Sequence, residues 1–270
     1  MNSVQTTYHS GRIENNTMIQ HQSRRESSYV SIVLAIVVLV GLYLSSLYHY
    51  LLFHNLAELF SIIVAGGIFM IGWNSRRYIQ NPYFLFIAIA YLFIGGLDLL
   101  HTLAYKGMPV FQDYDYYANQ LWIAARYMES LTLLVAYTFF STKKPVKPFI
   151  VFGVYTLLFI ALVGSIFYWK IFPICFIEGQ GLTPFKKISE YIISAILLLD
   201  IWLLYKYRQR FEQQVFQWLV WSLLLTILSE LAFTFYISNY GFSNLIGHYL
   251  KMFSFYLIYK AIIETGITRP

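Results

Sequence analysis

Seven ionisable residues fall inside otherwise apolar stretches: Asp98, His101, Arg126, Glu129, Glu230, His248 and Lys251. Placing a charge or imidazole in hydrocarbon is costly, so each of these side chains must face a partner, a wet cavity or a ligand. Asp98 and His101, Arg126 and Glu129, and His248 and Lys251 are spaced i, i+3, which puts each pair on one helix face. Carboxylates and imidazoles accept protons and serve as N/O metal ligands, while Arg and Lys supply counter-charges or contact anions. The set therefore predicts either a site for a ligand, proton or ion, or ion pairs that lock helix register; residue types alone leave both open. His101, His248 and Asp98 form the candidate metal set, with the two nearby cations arguing against it. No cofactor is indicated by any motif.

The elements that position these residues are read from hydropathy. The chain has 270 residues, 58% hydrophobic and only 12% charged. Soluble domains carry roughly 25% charged residues, so most of this surface must face lipid. Eight stretches approach the ~20 apolar residues that a spanning helix needs. They are 30–48, 56–73, 83–103, 121–140, 149–167, 188–205, 215–237 and 245–263. Strand edges cannot be satisfied in hydrocarbon, so these are helices, and the expected fold is an all-α polytopic membrane bundle. Residues 1–28 read as a disordered cytoplasmic tail, 29–264 as the membrane domain and 265–270 as an exit segment. Arg24 and Arg25 before the first span read as a retained signal anchor.

Asn81-Pro82, Lys147-Pro148 and Thr183-Pro184 mark turns. The Gly66-Gly67 and Gly95-Gly96 pairs suit close helix packing. Trp73, Trp122 and Trp169 lie near span ends and read as interfacial anchors. Cys175, the one cysteine, excludes an intrachain disulfide and is expected to be packed in its loop.

Basic residues favour the cytoplasmic side of a membrane. With the N-terminus inside, the inner segments hold 13 Lys and Arg and the outer ones four, namely Lys106, Lys170, Lys186 and Lys187. Both termini are then cytoplasmic. On that topology Asp98, Arg126, Glu230 and Lys251 lie five to seven residues inside the outer ends of their spans. At 1.5 Å per residue they share a level roughly 8–10 Å below the outer surface. Glu58 and Glu190 fall nearer the same rim, and Asp200 falls near the inner face. The expectation is a polar pocket beneath the outer face.

The net charge of +6 is spread in short runs between spans, so nucleic acid is excluded as a partner. Neither a GxxxxGK[ST] phosphate loop nor a GxSxG or HExxH motif occurs, so the chain is expected not to be an enzyme. A small transporter or channel is the alternative to a sensor, disfavoured because the charges gather toward one face and no internal repeat is visible. An intramembrane enzyme using His101 or His248 as base is a third reading, without a nucleophile to support it.

The stretch Phe93-Ile94-Gly95-Gly96-Leu97-Asp98-Leu99-Leu100-His101-Thr102-Leu103-Ala104-Tyr105-Lys106-Gly107-Met108 resembles the signature of a prokaryotic membrane-associated sensor domain, the third class of the MASE group. Gln120-Leu121-Trp122-Ile123-Ala124-Ala125-Arg126-Tyr127-Met128-Glu129 is similar to that family's second block, and Gly266-Ile267-Thr268-Arg269-Pro270 to its exit into the cytosol. Asp98, His101, Tyr105, Lys106, Gly107, Met108, Trp122, Arg126 and Glu129 carry the resemblance. It implies a sensory input domain for two-component or cyclic-di-GMP signalling, placed before a PAS, histidine kinase or cyclic-di-GMP module. Here no such module follows, so the chain is expected to be one part of a split or truncated product, or to act on a separate partner. The implied partners are the lipid bilayer and a cytoplasmic output module; a homodimer is compatible with the sequence.

Overall fold

The computed structural model describes residues 29–30, 33–79, 81–142, 146–234 and 241–266. The expected tail at 1–28, Lys143 and Lys144, and the end of the exit segment at 267–270 lie outside the described residues. The fold is all-α, as hydropathy requires, and apart from one two-residue hairpin the described chain is helix and connecting loop.

The chain divides at Phe53 into two units. The first holds helix α1 (Val33–Tyr48) and the start of α2 (Tyr50–Asn74). Val33, Leu34, Ile36 and Val37 on α1 are all more than half exposed, which suits a surface in contact with lipid tails.

The second unit runs from His54 through the rest of α2, then α3 (Pro82–Leu103), α4 (Tyr117–Ala136), a short α5 (Thr138–Thr142) and α6 (Pro148–Val163). After a π turn at Gly164–Tyr168 come the hairpin β1 (Phe176–Ile177) and β2 (Gly181–Leu182), then α7 (Pro184–Lys206), α8 (Gln213–Thr234) and α9 (Phe242–Gly266). Among the described residues, five spans are long and apolar enough to cross a membrane: Tyr50–Asn74, Pro82–Leu103, Pro148–Tyr168, Pro184–Lys206 and Gln213–Thr234. α4 and α9, at 20 and 25 residues, are also long enough, but carry Arg126, Glu129, His248 and Lys251 in place of apolar residues.

The turn residues act as expected. Pro82, Pro148 and Pro184 each open a helix, where a missing N–H costs nothing. Asn81 and Thr183 cap the helices that follow, accepting from the backbone N–H of Tyr83 (3.1 Å) and of Lys186 (3.3 Å). α3 is the central helix, with Tyr83 to Tyr91 buried throughout. Gly95 lets it approach α2 closely, because a Cβ there would sit 2.9 Å from the Ala65 methyl. Gly66 is not used in this way, since no atom lies within 4 Å of where its Cβ would be.

The two ends of this bundle are built differently. At one end Tyr83 stacks on Phe140 with ring centroids 5.2 Å apart, and Phe211 meets the edges of Tyr83, Phe84 and Phe140. Tyr137 stacks on Tyr207 and donates its hydroxyl to the Asp200 carbonyl at 3.0 Å. At the other end lie the connections 104–116 and 169–183, and beneath them the ionisable residues.

Those connections are cross-tied. Lys106 Nζ reaches Glu178 at 3.1 Å and Asp115 at 3.6 Å, and it donates to the Tyr116 hydroxyl. Lys170 reaches Asp113 at 3.2 Å, which also accepts from the Tyr117 hydroxyl at 2.7 Å. Gly107, Gly179 and Gly181 take positive φ angles of 97°, 79° and 86° in the tight turns. Cys175 is fully buried, as expected of a packed cysteine, and burial pushes its thiol up to about 12, which keeps it un-ionised and unreactive.

Candidate functional site

Four helices begin three or more residues earlier than hydropathy predicts: α2 at Tyr50, α4 at Tyr117, α7 at Pro184 and α9 at Phe242. The physical reason is that polar residues near these helix starts, His54, Gln120, Lys186 and Asn244, are buried rather than turned to lipid. This extension places His54 one helical turn ahead of Glu58 on the same face of α2.

Arg126 on α4 lies at the centre of the site and is 1% exposed. Its Nη2 donates to both Asp98 oxygens, at 2.8 and 2.9 Å, and its Nη1 to Glu129 at 2.5 Å. A planar guanidinium suits this forked geometry as a lysine would not. The other Glu129 oxygen accepts from the Tyr91 hydroxyl at 2.9 Å. Lys251 on α9 bridges two further helices, reaching Glu58 on α2 at 2.6 Å and Asp98 on α3 at 3.2 Å.

Trp122 is the hub between this group and a second one. Arg126, Lys251 and Lys186 lie 4.9, 4.8 and 5.8 Å from its ring. Its indole N–H donates to Glu230 at 3.3 Å, and Lys186 pairs with Glu190 on α7. Trp122 is therefore not the interfacial anchor that its position near a span end suggests; it is 3% exposed and touches charges.

The third group is imidazole-rich. His54 and His101 approach at 3.3 Å between their Nε2 atoms, and His248 Nε2 lies 3.3 Å from Glu58 Oε1. His101 Nδ1 faces the Ala118 carbonyl at 2.8 Å and His248 Nδ1 the Asn244 carbonyl at 2.7 Å. Each Nδ1 carries a proton to donate to its carbonyl, so in the neutral imidazole each Nε2 keeps its lone pair, directed inward. Tyr105 stacks on His54 with centroids 3.6 Å apart, and its hydroxyl accepts from Asn244.

All seven of the intramembrane residues singled out from sequence thus meet in one buried polar region. They fill it rather than line a broad pocket: the cavity beside His101, Trp122 and His248 holds only about 30 Å³. That is room for a water or an ion. The region holds five carboxylates, on Glu58, Asp98, Glu129, Glu190 and Glu230, against the three cations Arg126, Lys186 and Lys251. Carboxylates thus outnumber cations there.

Some expectations are corrected by these contacts. Asp98 does not join the metal set with His101 and His248, because Arg126 and Lys251 occupy both of its oxygens. Glu58 takes that place. Lys186 is not an outer-loop charge, since it lies in the first turn of α7, 2% exposed. Of the resemblance residues, Tyr105 and Trp122 join the site, while Lys106, Gly107 and Met108 belong to the overlying connection. His54 went unrecognised from sequence because it lies before the apolar run of its helix. The available signal was its i, i+4 spacing to Glu58.

A helical membrane bundle that gathers most of its buried charges at one end is a membrane-embedded domain organised around interior polar contacts. The chain belongs to the MASE3 family of membrane-associated sensor domains, whose family model matches residues 45–270. No curated protein and no solved structure matches it.

Proposed function

We propose that the polar region is the input site of this sensor domain, and that α9 carries its state to a cytoplasmic kinase or cyclic-di-GMP module. The observation that carries this reading is the bridge made by Lys251. One α9 side chain holds a carboxylate on α2 and another on α3. Any stimulus that competes for Glu58 or Asp98 changes what holds α9 in place. A stimulus shifts an equilibrium only through unequal affinity for two packings, and breaking or keeping this bridge is such a difference.

The small cavity favours a stimulus of atomic size, such as an ion or proton, over a bulky ligand. Orientation follows from charge: with Lys186 withdrawn into the bundle, three of the outer lysines remain against 13 inner cations. That asymmetry supports both termini being cytoplasmic and the input site lying beneath the outer face.

The test is to fuse a reporter histidine kinase after Pro270 and compare wild type with Arg126→Lys and Lys251→Met. Each variant is expected to shift basal output, since each loosens a contact that α9 or its neighbours depend on. Output identical to wild type in both, with protein levels matched, would contradict the reading.

A further inference from the structure

His54 and Glu58 on α2, His101 on α3 and His248 on α9 form an imidazole-rich group that joins the ion-pair network at Glu58. One potential ligand atom from each lies within 4.8 Å of all the others, and all four residues are buried. We propose that this quartet binds a divalent first-row transition metal ion in a four-coordinate His3Glu site. The proposal rests on the polar region being the input site, and names the class of its ligand.

Four observations support it. First, a tetrahedral site with bonds of about 2.0–2.1 Å has edges of about 3.3 Å. His54 to His101 and His248 to Glu58 are each 3.3 Å apart. Second, the backbone carbonyls of Ala118 and Asn244 fix the tautomers of His101 and His248 so that Nε2 presents a lone pair, the outer-shell arrangement that ligand histidines use. Third, Lys251 is already neutralised through Glu58 Oε2 and Asp98, which leaves Glu58 Oε1 directed toward His248. Fourth, carboxylates outnumber cations in the buried region, so an added cation meets a surplus of negative groups. Imidazole with one carboxylate and no thiolate suits Zn²⁺, Cu²⁺, Ni²⁺ or Fe²⁺ and disfavours Mg²⁺ and Ca²⁺.

Two protons need placing, and the one shared between His248 Nε2 and Glu58 Oε1 in the metal-free site is released to solvent when both atoms coordinate. With His101 Nε2 unprotonated, the 3.3 Å contact requires His54 Nε2–H to donate to it. Coordination through His54 Nε2 moves that proton to Nδ1, an atom with no hydrogen-bond partner among the described residues. Binding would tie α2, α3 and α9 together at the level of the Lys251 bridge, and so act on the same helices as the proposed output.

The experiment uses the whole chain in nanodiscs, stripped with EDTA and titrated with Zn²⁺ or Co²⁺. One equivalent is expected to bind, with Co²⁺ giving the strong ligand-field absorption of a four-coordinate site. X-ray absorption at the zinc edge of wild type should count three imidazoles, a result that depends on no variant folding. Loss of one ligand in His54→Gln or His101→Gln should weaken affinity at least as much as the roughly 10–100-fold seen for outer-shell changes. No binding by wild type, six-coordinate spectra, or affinity unchanged in both variants would overturn the site. The reporter fusion separates the two proposals. Metal bound without any change in output overturns the input reading alone; no metal bound, while Arg126→Lys still alters output, overturns the metal alone.

Discussion

The two ends of α3 solve the same packing problem with opposite chemistry. Around Tyr83 the neighbouring helices are joined by stacked and edge-on rings from Tyr137, Phe140, Tyr207 and Phe211. Around Asp98 they are joined by a forked guanidinium, a bridging lysine and three imidazoles. Aromatic packing is held by buried area and preferred ring geometry and involves no charge that a proton or ion could change. Ion pairs in a dry interior demand full pairing, since a charge left alone costs several kcal/mol. The aromatic end is thus suited to hold position. The charged end is suited to have two states, because a proton or ion can change its pairing.

Each end also holds a buried aspartate, and the contrast between them is sharp. Asp98 is paired with Arg126 and Lys251, whereas neither carboxylate oxygen of Asp200 has a hydrogen-bond partner among the described residues.

The largest effect should come from Arg126→Met, which leaves Asp98 and Glu129 short of a partner. Breaking a buried pair on one side costs about 3–5 kcal/mol, so unfolding in mild detergent should show a loss of that order. A loss under about 1 kcal/mol would mean that water already reaches these carboxylates. Next in size is Asp200→Asn at the aromatic end. Removing a buried carboxyl that lacks partners should leave stability unchanged or raise it by about 1 kcal/mol, where Asp98→Asn lowers it. If both substitutions destabilise equally, the difference drawn between the two ends fails.

The smallest effect lies in the connections above the site. Asp113 is held below its ordinary carboxylate range by the Tyr117 hydroxyl and by Lys170, and Glu178 by Lys106. A lowered folded-state value gives a contribution that is present at neutral pH and is lost as pH falls through that value. Proteolysis or hydrogen exchange of residues 104–116 and 169–183 should therefore quicken only below roughly pH 4. The effect should be slight, since these pairs are solvent-screened. Quickening already at pH 6 would point to some other group.

Much of this was legible in the sequence, for reasons that differ by residue. Helix number and membrane character follow from hydropathy, because lipid contact leaves no choice of side chain. The convergence of Asp98, Arg126, Glu230 and Lys251 follows from their equal depth, because a buried charge needs a partner at its own level. Partner choice was not legible. Depth placed Glu58 and Asp98 near the same rim but could not say that Lys251 would bridge them, since that depends on helix rotation. His54 and Lys186 were missed because hydropathy assigns helix ends to loops, whereas here both side chains, near the starts of α2 and α7, are buried. Trp122 was misread for a similar reason: a tryptophan near a span end can anchor at the interface or turn inward, and only the three cations around it decide.

Inside the bundle α9 is held to α2 by the pair Lys251 and Glu58. A double-mutant cycle on unfolding, with Lys251→Met, Glu58→Gln and both together, tests it most directly. Each single change should be costly and the pair less costly than their sum, with a coupling of about 0.5–3 kcal/mol as found for groups in contact. Strict additivity would show that the two side chains do not meet, and would contradict the account.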